Sequence, residues 1–146
     1  MKKIFLLIVL AGLFVNFSGF GQSKDNPWTN AELKKTAALA TELQLPKDQR
    51  PVVIDIGPAG VIKGAIEVGP AEYDKNKAQL KEVLKDLPKD KEVVIYCGCC
   101  PFSKCPNVRP AFNILVDMGF EKPRLLNLYH NLKVDWIDKG FPLAQE

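Results

Sequence analysis

Three short apolar segments constrain the fold of this chain more than any other feature of its sequence. They occupy residues 51–56, 92–96 and 124–128. A run of this length that is apolar at most positions is typical of a strand covered on both faces, as in a parallel sheet. A fourth run at residues 62–66 is also compatible with a short strand. The chain is therefore expected to build its core around a sheet with two covered faces.

The segments between these strands carry helical patterns. Thr29 and Glu32 have the Ser/Thr-x-x-Glu spacing of a capping box, which predicts a helix over residues 29–43. Apolar side chains at i, i+3, i+4 and i+7 predict a second helix over residues 74–87. A short last helix is predicted over residues 135–139.

A further helix is predicted over residues 108–118. Phe112, Leu115 and Val116 are expected to face the core, and Gly119 is expected to cap the carboxyl end. Strands that alternate with helices in this way predict an α/β fold, a three-layer α/β/α sandwich with a mostly parallel central sheet.

The first residues have the organisation of an export signal. Lys2 and Lys3 provide a basic start, and residues 4–15 carry no polar side chain. A helix of that length is about 18 Å long, which is too short for a bilayer core of about 30 Å. Gly19 and Gly21 supply the small residues that precede a cleavage site, so a cut after Gly21 is expected.

The predicted organisation of the chain has three parts. Residues 1–21 form a signal peptide, residues 22–48 a leader and helix, and residues 49–146 the main domain. The mature protein is expected to be periplasmic or secreted, with no membrane span of its own. Disulfides are permitted in that compartment.

The composition argues against several classes of function. Lys and Arg number 20 against 17 Asp and Glu, for a net charge of +3. A chain so close to neutral lacks the basic footprint of a nucleic-acid-binding protein. His130 is its one histidine, which leaves little material for a histidine-rich metal site. His130 is expected to be structural, no cofactor is expected, and the oligomeric state is left open.

All four cysteines are clustered, at Cys97, Cys99, Cys100 and Cys105. Cys97 directly follows the predicted strand at residues 92–96, and sites of α/β proteins form at the carboxyl ends of strands. The reactive form of cysteine is the thiolate, which is favoured near the amino end of a helix and near cations. This loop is therefore the candidate site.

Two basic residues place positive charge beside the cysteines. Lys104 and Arg109, together with the free N–H groups at the start of the predicted helix, favour an anionic sulfur and an anionic substrate. Both are candidate substrate-binding residues. Arg109 either binds a substrate oxyanion or holds the carbonyl groups of the loop.

Other roles of the cysteines stay open at this point. Four cysteines allow three disulfide pairings, and the adjacent Cys99 and Cys100 are expected to pair elsewhere or to stay free. Four thiolates so close together also suit a soft metal such as Zn²⁺ or Cu⁺. The spacing Cys-x-Cys-Cys-x4-Cys is not that of a zinc ribbon or a ferredoxin, so no metal is assigned.

A series of short segments runs along the chain in a particular order and spacing. They are VVIDI at 52–56, IKGAI at 62–66, VVIYC at 93–97, AFNIL to GF at 111–120, and Trp136 with GFP at 140–142. In this order and spacing, the chain from residue 51 to 142 resembles a rhodanese-like domain. The resemblance implies that a cysteine at the end of the central strand takes a sulfane sulfur as a persulfide and passes it to a nucleophile. By position, Cys97 inherits that role.

The sequence departs from the family pattern in three places. Gly57 stands where the family usually has an arginine, and Val61 stands where it usually has a histidine. The loop after Cys97 is longer by several residues and carries three further cysteines and three prolines. Asp55, at the end of its strand, is expected to fix the following loop rather than to act as an acid.

These observations predict an exported sulfurtransferase of rhodanese-like type. It would carry sulfur from a small-molecule or protein donor, such as thiosulfate, to a thiol or another nucleophile. Cys97, Cys105 and Arg109 are the expected catalytic residues, and Cys99, Cys100 or Cys105 would act as a resolving or disulfide-forming thiol. The alternatives are a non-catalytic module that binds a soft metal or is locked by disulfides, and a thiol–disulfide oxidoreductase.

Overall fold

The computed structural model describes residues 27–58 and 60–144. The signal peptide predicted for residues 1–21 and its cleavage after Gly21 lie outside the described residues.

The centre of the molecule is a five-stranded sheet in which every strand pairing is parallel. The strand order is β1-β5-β4-β2-β3. The strands are β1 Leu33–Lys34, β2 Val52–Asp55, β3 Ile66–Glu67, β4 Val93–Tyr96 and β5 Pro123–Leu126. This arrangement confirms the predicted α/β class and its parallel sheet.

Three α-helices and three shorter helical turns complete the part of the chain that the structure describes. The helices are α1 Thr36–Glu42, α2 Asp74–Leu84 and α3 Val108–Asp117. Two 3-10 turns span Lys47–Gln49 and Phe102–Lys104, and a π-helical turn spans Lys133–Ile137. No helix in the described part of the chain combines the length and the apolar character needed to cross a membrane.

One face of the sheet is covered by α2 and α3. Leu80 and Leu84 from α2 pack with Phe112 and Leu115 from α3 in one core cluster, which also takes Ile95 from β4. The side chains of the central strands alternate between this cluster and a second one.

The opposite face is covered by α1 and the π-helical turn. Leu39 from α1 and Leu43 at its carboxyl cap pack with Trp136 and with Val94 from β4. The sheet therefore lies between two helical layers, and each residue of β4 is fully buried. That burial explains why the strand is apolar at every position.

The predicted start of the first helix is wrong. Thr29 and Glu32 do form the reciprocal bonds of a capping box, with the Thr29 N–H 2.7 Å from Glu32 Oε2 and the Glu32 N–H 3.3 Å from Thr29 Oγ1. The chain then extends into β1, where Leu33 pairs with Leu125, and the helix begins only at Thr36. Pairing with the free edge of β5 satisfies backbone groups, and this long-range gain overrides the local helix signal.

Two further expectations need correction. The strand expected at 62–66 lies at Ile66–Glu67, since Gly64 adopts a φ of 72° and Ile62 forms an isolated bridge with Leu143 instead. Val116, expected to face the core, is 52% exposed. Successive side chains of an α-helix point about 100° apart, so with Leu115 facing the core the next side chain, Val116, faces solvent.

The contrast between Leu115 and Val116 gives a direct test of the packing of α3. Leu115→Ala should lower the free energy of unfolding by about 2–5 kcal/mol, because it opens a cavity in the core. Val116→Ala should change it by less than about 0.5 kcal/mol, because the side chain meets solvent. Urea unfolding of the two variants measures both effects, and equal losses would contradict the described register of α3.

Candidate active site

The cysteine loop lies at the carboxyl end of β4. Cys97 directly follows Tyr96, and the chain then passes through the Phe102–Lys104 turn into α3. Two backbone bonds fasten this loop to the segment after β5. The Phe102 N–H lies 3.2 Å from the Leu128 carbonyl oxygen, and the Leu132 N–H lies 3.0 Å from that of Gly98. The prediction that Cys97 ends a central strand is confirmed.

Hydrogen-bond donors converge on the sulfur of Cys97, which is only 2% exposed. The side-chain amide of Asn107 lies 3.5 Å from it, and the sulfur of Cys99 lies 3.4 Å from it. The Cys99 backbone N–H and the thiol of Cys105 also donate to it. Because each of these donors favours the charged sulfur, the arrangement stabilises a thiolate at Cys97.

The orientation of the Asn107 amide is set by a second contact. Its Oδ1 accepts the backbone N–H of Glu72 at 3.0 Å, so the NH₂ group must point toward Cys97. Asn107 is only 4% exposed and makes no side-chain cap bond to α3. Asn107 was not among the residues predicted for the site. An asparagine just before a helix is common as a cap, and only the packing of α3 against the segment before α2 reveals its other partners.

Three of the thiols differ sharply in acidity: Cys97 is strongly acidic, whereas Cys99 and Cys105 are weakly acidic. The hydrogen bond from Cys105 lowers the pKa of Cys97 from 9.0 to about 5, against the opposing effect of burial, and the bonds from Asn107 and Cys99 add to it. The same bond with Cys97 raises the pKa of Cys105, so the proton stays there. Burial, with the bonds to Cys100 and Cys97, raises the pKa of Cys99 to about 12. Cys97 is therefore the nucleophile of the group at neutral pH.

Gly57 allows the backbone that follows β2 to lie close to the Cys97 sulfur. A Cβ atom at position 57 would lie 2.9 Å from the Cys97 sulfur, closer than real Cβ contacts allow. No side chain fits there without displacement. The absence of an arginine at this position therefore matches the packing around the buried sulfur.

Asp55 is the second acidic group at this end of the sheet. It ends β2, is 1% exposed and accepts the Gly57 N–H at 2.9 Å through Oδ1, which confirms its expected role in fixing the loop. Burial raises the pKa of Asp55 from 3.8 to about 7, opposed by the Gly57 bond and assisted by the negative charges of Cys97 and Glu67.

The two basic residues predicted for the site lie at its periphery. The Arg109 guanidinium stacks over the Trp28 ring, 3.9 Å from its centroid, and Trp28 in turn packs edge-on against Phe112. Lys104 is exposed in the 3-10 turn. Within the described residues, the Cys97 sulfur has hydrogen-bond partners on Asn107, Cys99 and Cys105, and neither basic side chain is among them.

His130 has a structural environment. Its Nδ1 lies 3.1 Å from Asp135 Oδ1, and Asp135 Oδ2 accepts the backbone N–H groups of His130 and Asn131. Asp135 thus closes the loop between β5 and the π-helical turn. That loop is the one fastened to the cysteine loop, so His130 helps to shape the site from outside.

Three of the four cysteines converge. The sulfur atoms of Cys97, Cys99 and Cys105 all lie within 4.8 Å of one another. The sulfur of Cys100 lies 3.4 Å from that of Cys99 and outside this trio. All four are free thiols. The arrangement offers one thiolate, an exposed neighbouring thiol and a buried donor thiol.

Neither a model of a known protein family nor a curated protein sequence matches this chain. A proposal for its function therefore rests on the chemistry of the site and on the resemblance in sequence.

The raised pKa of Asp55 predicts a loss of stability as the pH rises. Between pH 4 and pH 7 the folded chain retains a proton that the unfolded chain has released, so the free energy of unfolding falls over this range. Asp55→Asn can still accept the Gly57 N–H but carries no charge. We expect its free energy of unfolding, relative to that of wild type, to increase from pH 4 to pH 8 by an amount on the order of 2 kcal/mol.

Urea unfolding at the two pH values measures this gain, with Asp74→Asn as the control. The Asp74 carboxylate is exposed and its pKa is lowered by Lys77, so its replacement should bring no gain at high pH. A pH-independent effect of Asp55→Asn would contradict the described environment of Asp55.

Proposed function

We propose that this protein is a rhodanese-like sulfurtransferase with Cys97 as the persulfide carrier. The observation that carries the proposal is the environment of the Cys97 sulfur, at the carboxyl end of the central strand, where several donors hold it as a thiolate. A buried thiolate needs such compensation, and a purely structural thiol does not. The sequence resemblance supports the same role for the same residue.

The first step is transfer of sulfur from the donor. The Cys97 thiolate attacks the outer sulfur of thiosulfate, the S–S bond of the donor breaks, and its electron pair leaves with sulfite. The product is the Cys97 persulfide anion, held by the same donors as the thiolate. Charge and sulfur balance without any external oxidant.

The second step returns the sulfur to an acceptor. A thiolate acceptor attacks the outer sulfur of the persulfide, takes it as its own persulfide and releases the Cys97 thiolate. Cys99 is placed to act as the resolving thiol, because its sulfur is 3.4 Å from Cys97 and it is exposed. If the Cys99 thiol instead attacks the sulfur of Cys97 itself, its proton passes to the outer sulfur of the persulfide, which leaves as hydrosulfide, and a Cys97–Cys99 disulfide forms that a dithiol reductant then reduces.

The surroundings of the loop favour an anionic donor. The ten-residue helix α3 directly follows the cysteine loop, and Asn107 just before it contacts the Cys97 sulfur, so the positive end of the helix dipole lies beside the site. Lys104 is exposed on the turn before α3, and the Trp28 ring holds the Arg109 charge on the first turn of the helix. In this proposal Lys104 meets the donor, while Arg109 contributes positive potential at a distance.

Persulfide loading tests the assignment of the carrier. Reduced protein treated with thiosulfate should gain the mass of one sulfur atom, and a reducing agent should remove it. Cys97→Ser should show no gain. Cys105→Ala removes a bond worth about 1.5–3 kcal/mol, which raises the pKa of Cys97 by about one to two units. Loading of that variant should slow about tenfold at pH 5 and little at pH 8.

Intact mass spectrometry and peptide mapping measure these outcomes. Loading that persists in Cys97→Ser and is lost in Cys105→Ala would assign the carrier role to Cys105 instead.

A further inference from the structure

The cysteine trio, defined as Cys97, Cys99 and Cys105, brings together more thiols than sulfur transfer through Cys97 requires. We propose that the trio binds one Cu(I) ion through three sulfur ligands, and that copper and sulfane sulfur compete for Cys97. The copper site stands on the geometry of the trio alone. The competition rests on the proposed function as well.

The spacing of the three sulfurs suits a single small ion. A metal–thiolate bond is about 2.3 Å, so three sulfurs around one ion in a plane lie about 4 Å apart. The sulfurs of the trio all lie within 4.8 Å of one another, with Cys97 and Cys99 at 3.4 Å. An opening of about half an ångström at that pair brings the trio to this geometry.

Three ligands favour Cu(I) over Zn(II). Structural Zn(II) sites are almost always tetrahedral with four protein ligands, and thiolates are the ligands that Cu(I) prefers. Cys100 is the nearest further thiol, and its sulfur lies outside the trio. Cys97 and Cys105 are 2% and 7% exposed, so solvent approaches the trio from the side of the exposed Cys99.

The donors around the trio offset the excess negative charge of a Cu(I)–thiolate site. One positive ion among three sulfurs leaves net negative charge in a buried place. The amide of Asn107 donates to Cys97, and the Asn107 backbone N–H donates to Cys105. Donors of this kind stabilise sulfur ligands from outside the coordination shell.

Binding of copper removes the nucleophile. Each thiol that ligates the ion releases its proton to solvent, and the lone pair of Cys97 that would attack a donor is held by the metal. No electron is transferred, because copper enters and leaves as Cu(I). Copper in the site therefore blocks persulfide formation, and a persulfide on Cys97 removes one ligand from the trio.

An anaerobic titration of the reduced protein with Cu(I), against a chromophoric Cu(I) chelator, tests the site without any sulfur chemistry. Wild type should bind one equivalent. Loss of a ligand should cost more than loss of an outer-shell partner, so Cys99→Ser should weaken binding by more than about 100-fold. Cys100→Ser is the matched control, because it changes the adjacent thiol outside the trio, and it should retain binding within about threefold.

Three results would overturn the copper site. They are wild-type affinity in Cys99→Ser, a loss in Cys100→Ser as large as that in Cys99→Ser, and binding of Zn(II) in preference to Cu(I) in the same titration. The second and third would indicate a four-thiolate site.

The competition has its own readout. Copper-loaded protein should gain no sulfur from thiosulfate, and removal of copper with the chelator should restore loading. Loading in the presence of bound copper would overturn the competition. Copper binding by a protein that never forms a persulfide would leave the copper site standing and reject the sulfurtransferase.

Discussion

The hydrogen bond from Asn107 to Cys97 joins the elements on which the candidate site depends. Its donor lies at the start of α3, its acceptor at the end of β4, and the orientation of the amide is set by the Glu72 N–H just before α2. A buried amide has few alternatives once one side is fixed, because its oxygen cannot donate and its nitrogen cannot accept. The packing of α2 and α3 on one face of the sheet therefore fixes the direction in which the Asn107 NH₂ group donates, which is toward the Cys97 sulfur.

A buried thiolate affects its acidic neighbours. Cys97 and Asp55 lie at the same end of adjacent strands, and each raises the cost of a negative charge on the other. The donors around Cys97 give it the charge, and Asp55 retains its proton up to a pKa of about 7. Gly57 lets the two strand ends approach this closely, because no side chain stands between them. Which of the two acids carries the negative charge thus follows from how many hydrogen-bond donors, N–H and S–H, each receives.

Local patterns in the sequence were enough to predict the centre of the fold. Continuous apolar runs predict the strands β2 and β4, and apolar residues at helical spacing predict the helices α2 and α3, because burial of these elements against the core requires apolar side chains. The first strand could not be found in this way. Its residues carry a helix-start signal, and β1 exists only because β5, far along the chain, offers a free edge.

The candidate site was predictable to a similar degree. The position of Cys97 follows from its place after an apolar run. Asn107 was missed and Arg109 was expected nearer the sulfur, since both depend on tertiary contacts, with Glu72 in one case and Trp28 in the other. Sequence gives the order of chemical groups along a loop but not the direction in which each side chain points. The sulfurtransferase function remains a prediction from the resemblance and the chemistry of the site.

The ionisation of Cys97 is the central claim, and a titration can measure it directly. Protein labelled with ¹³C at the cysteine Cβ atoms reports each thiol separately by NMR. Wild type should show Cys97 titrating near pH 5. Asn107→Asp keeps an acceptor for the Glu72 N–H, loses the donor to sulfur and adds a negative charge beside it, so the Cys97 midpoint should rise by at least about one to two pH units. A Cys97 midpoint near the ordinary value of 9.0, or one unchanged by Asn107→Asp, would contradict the account.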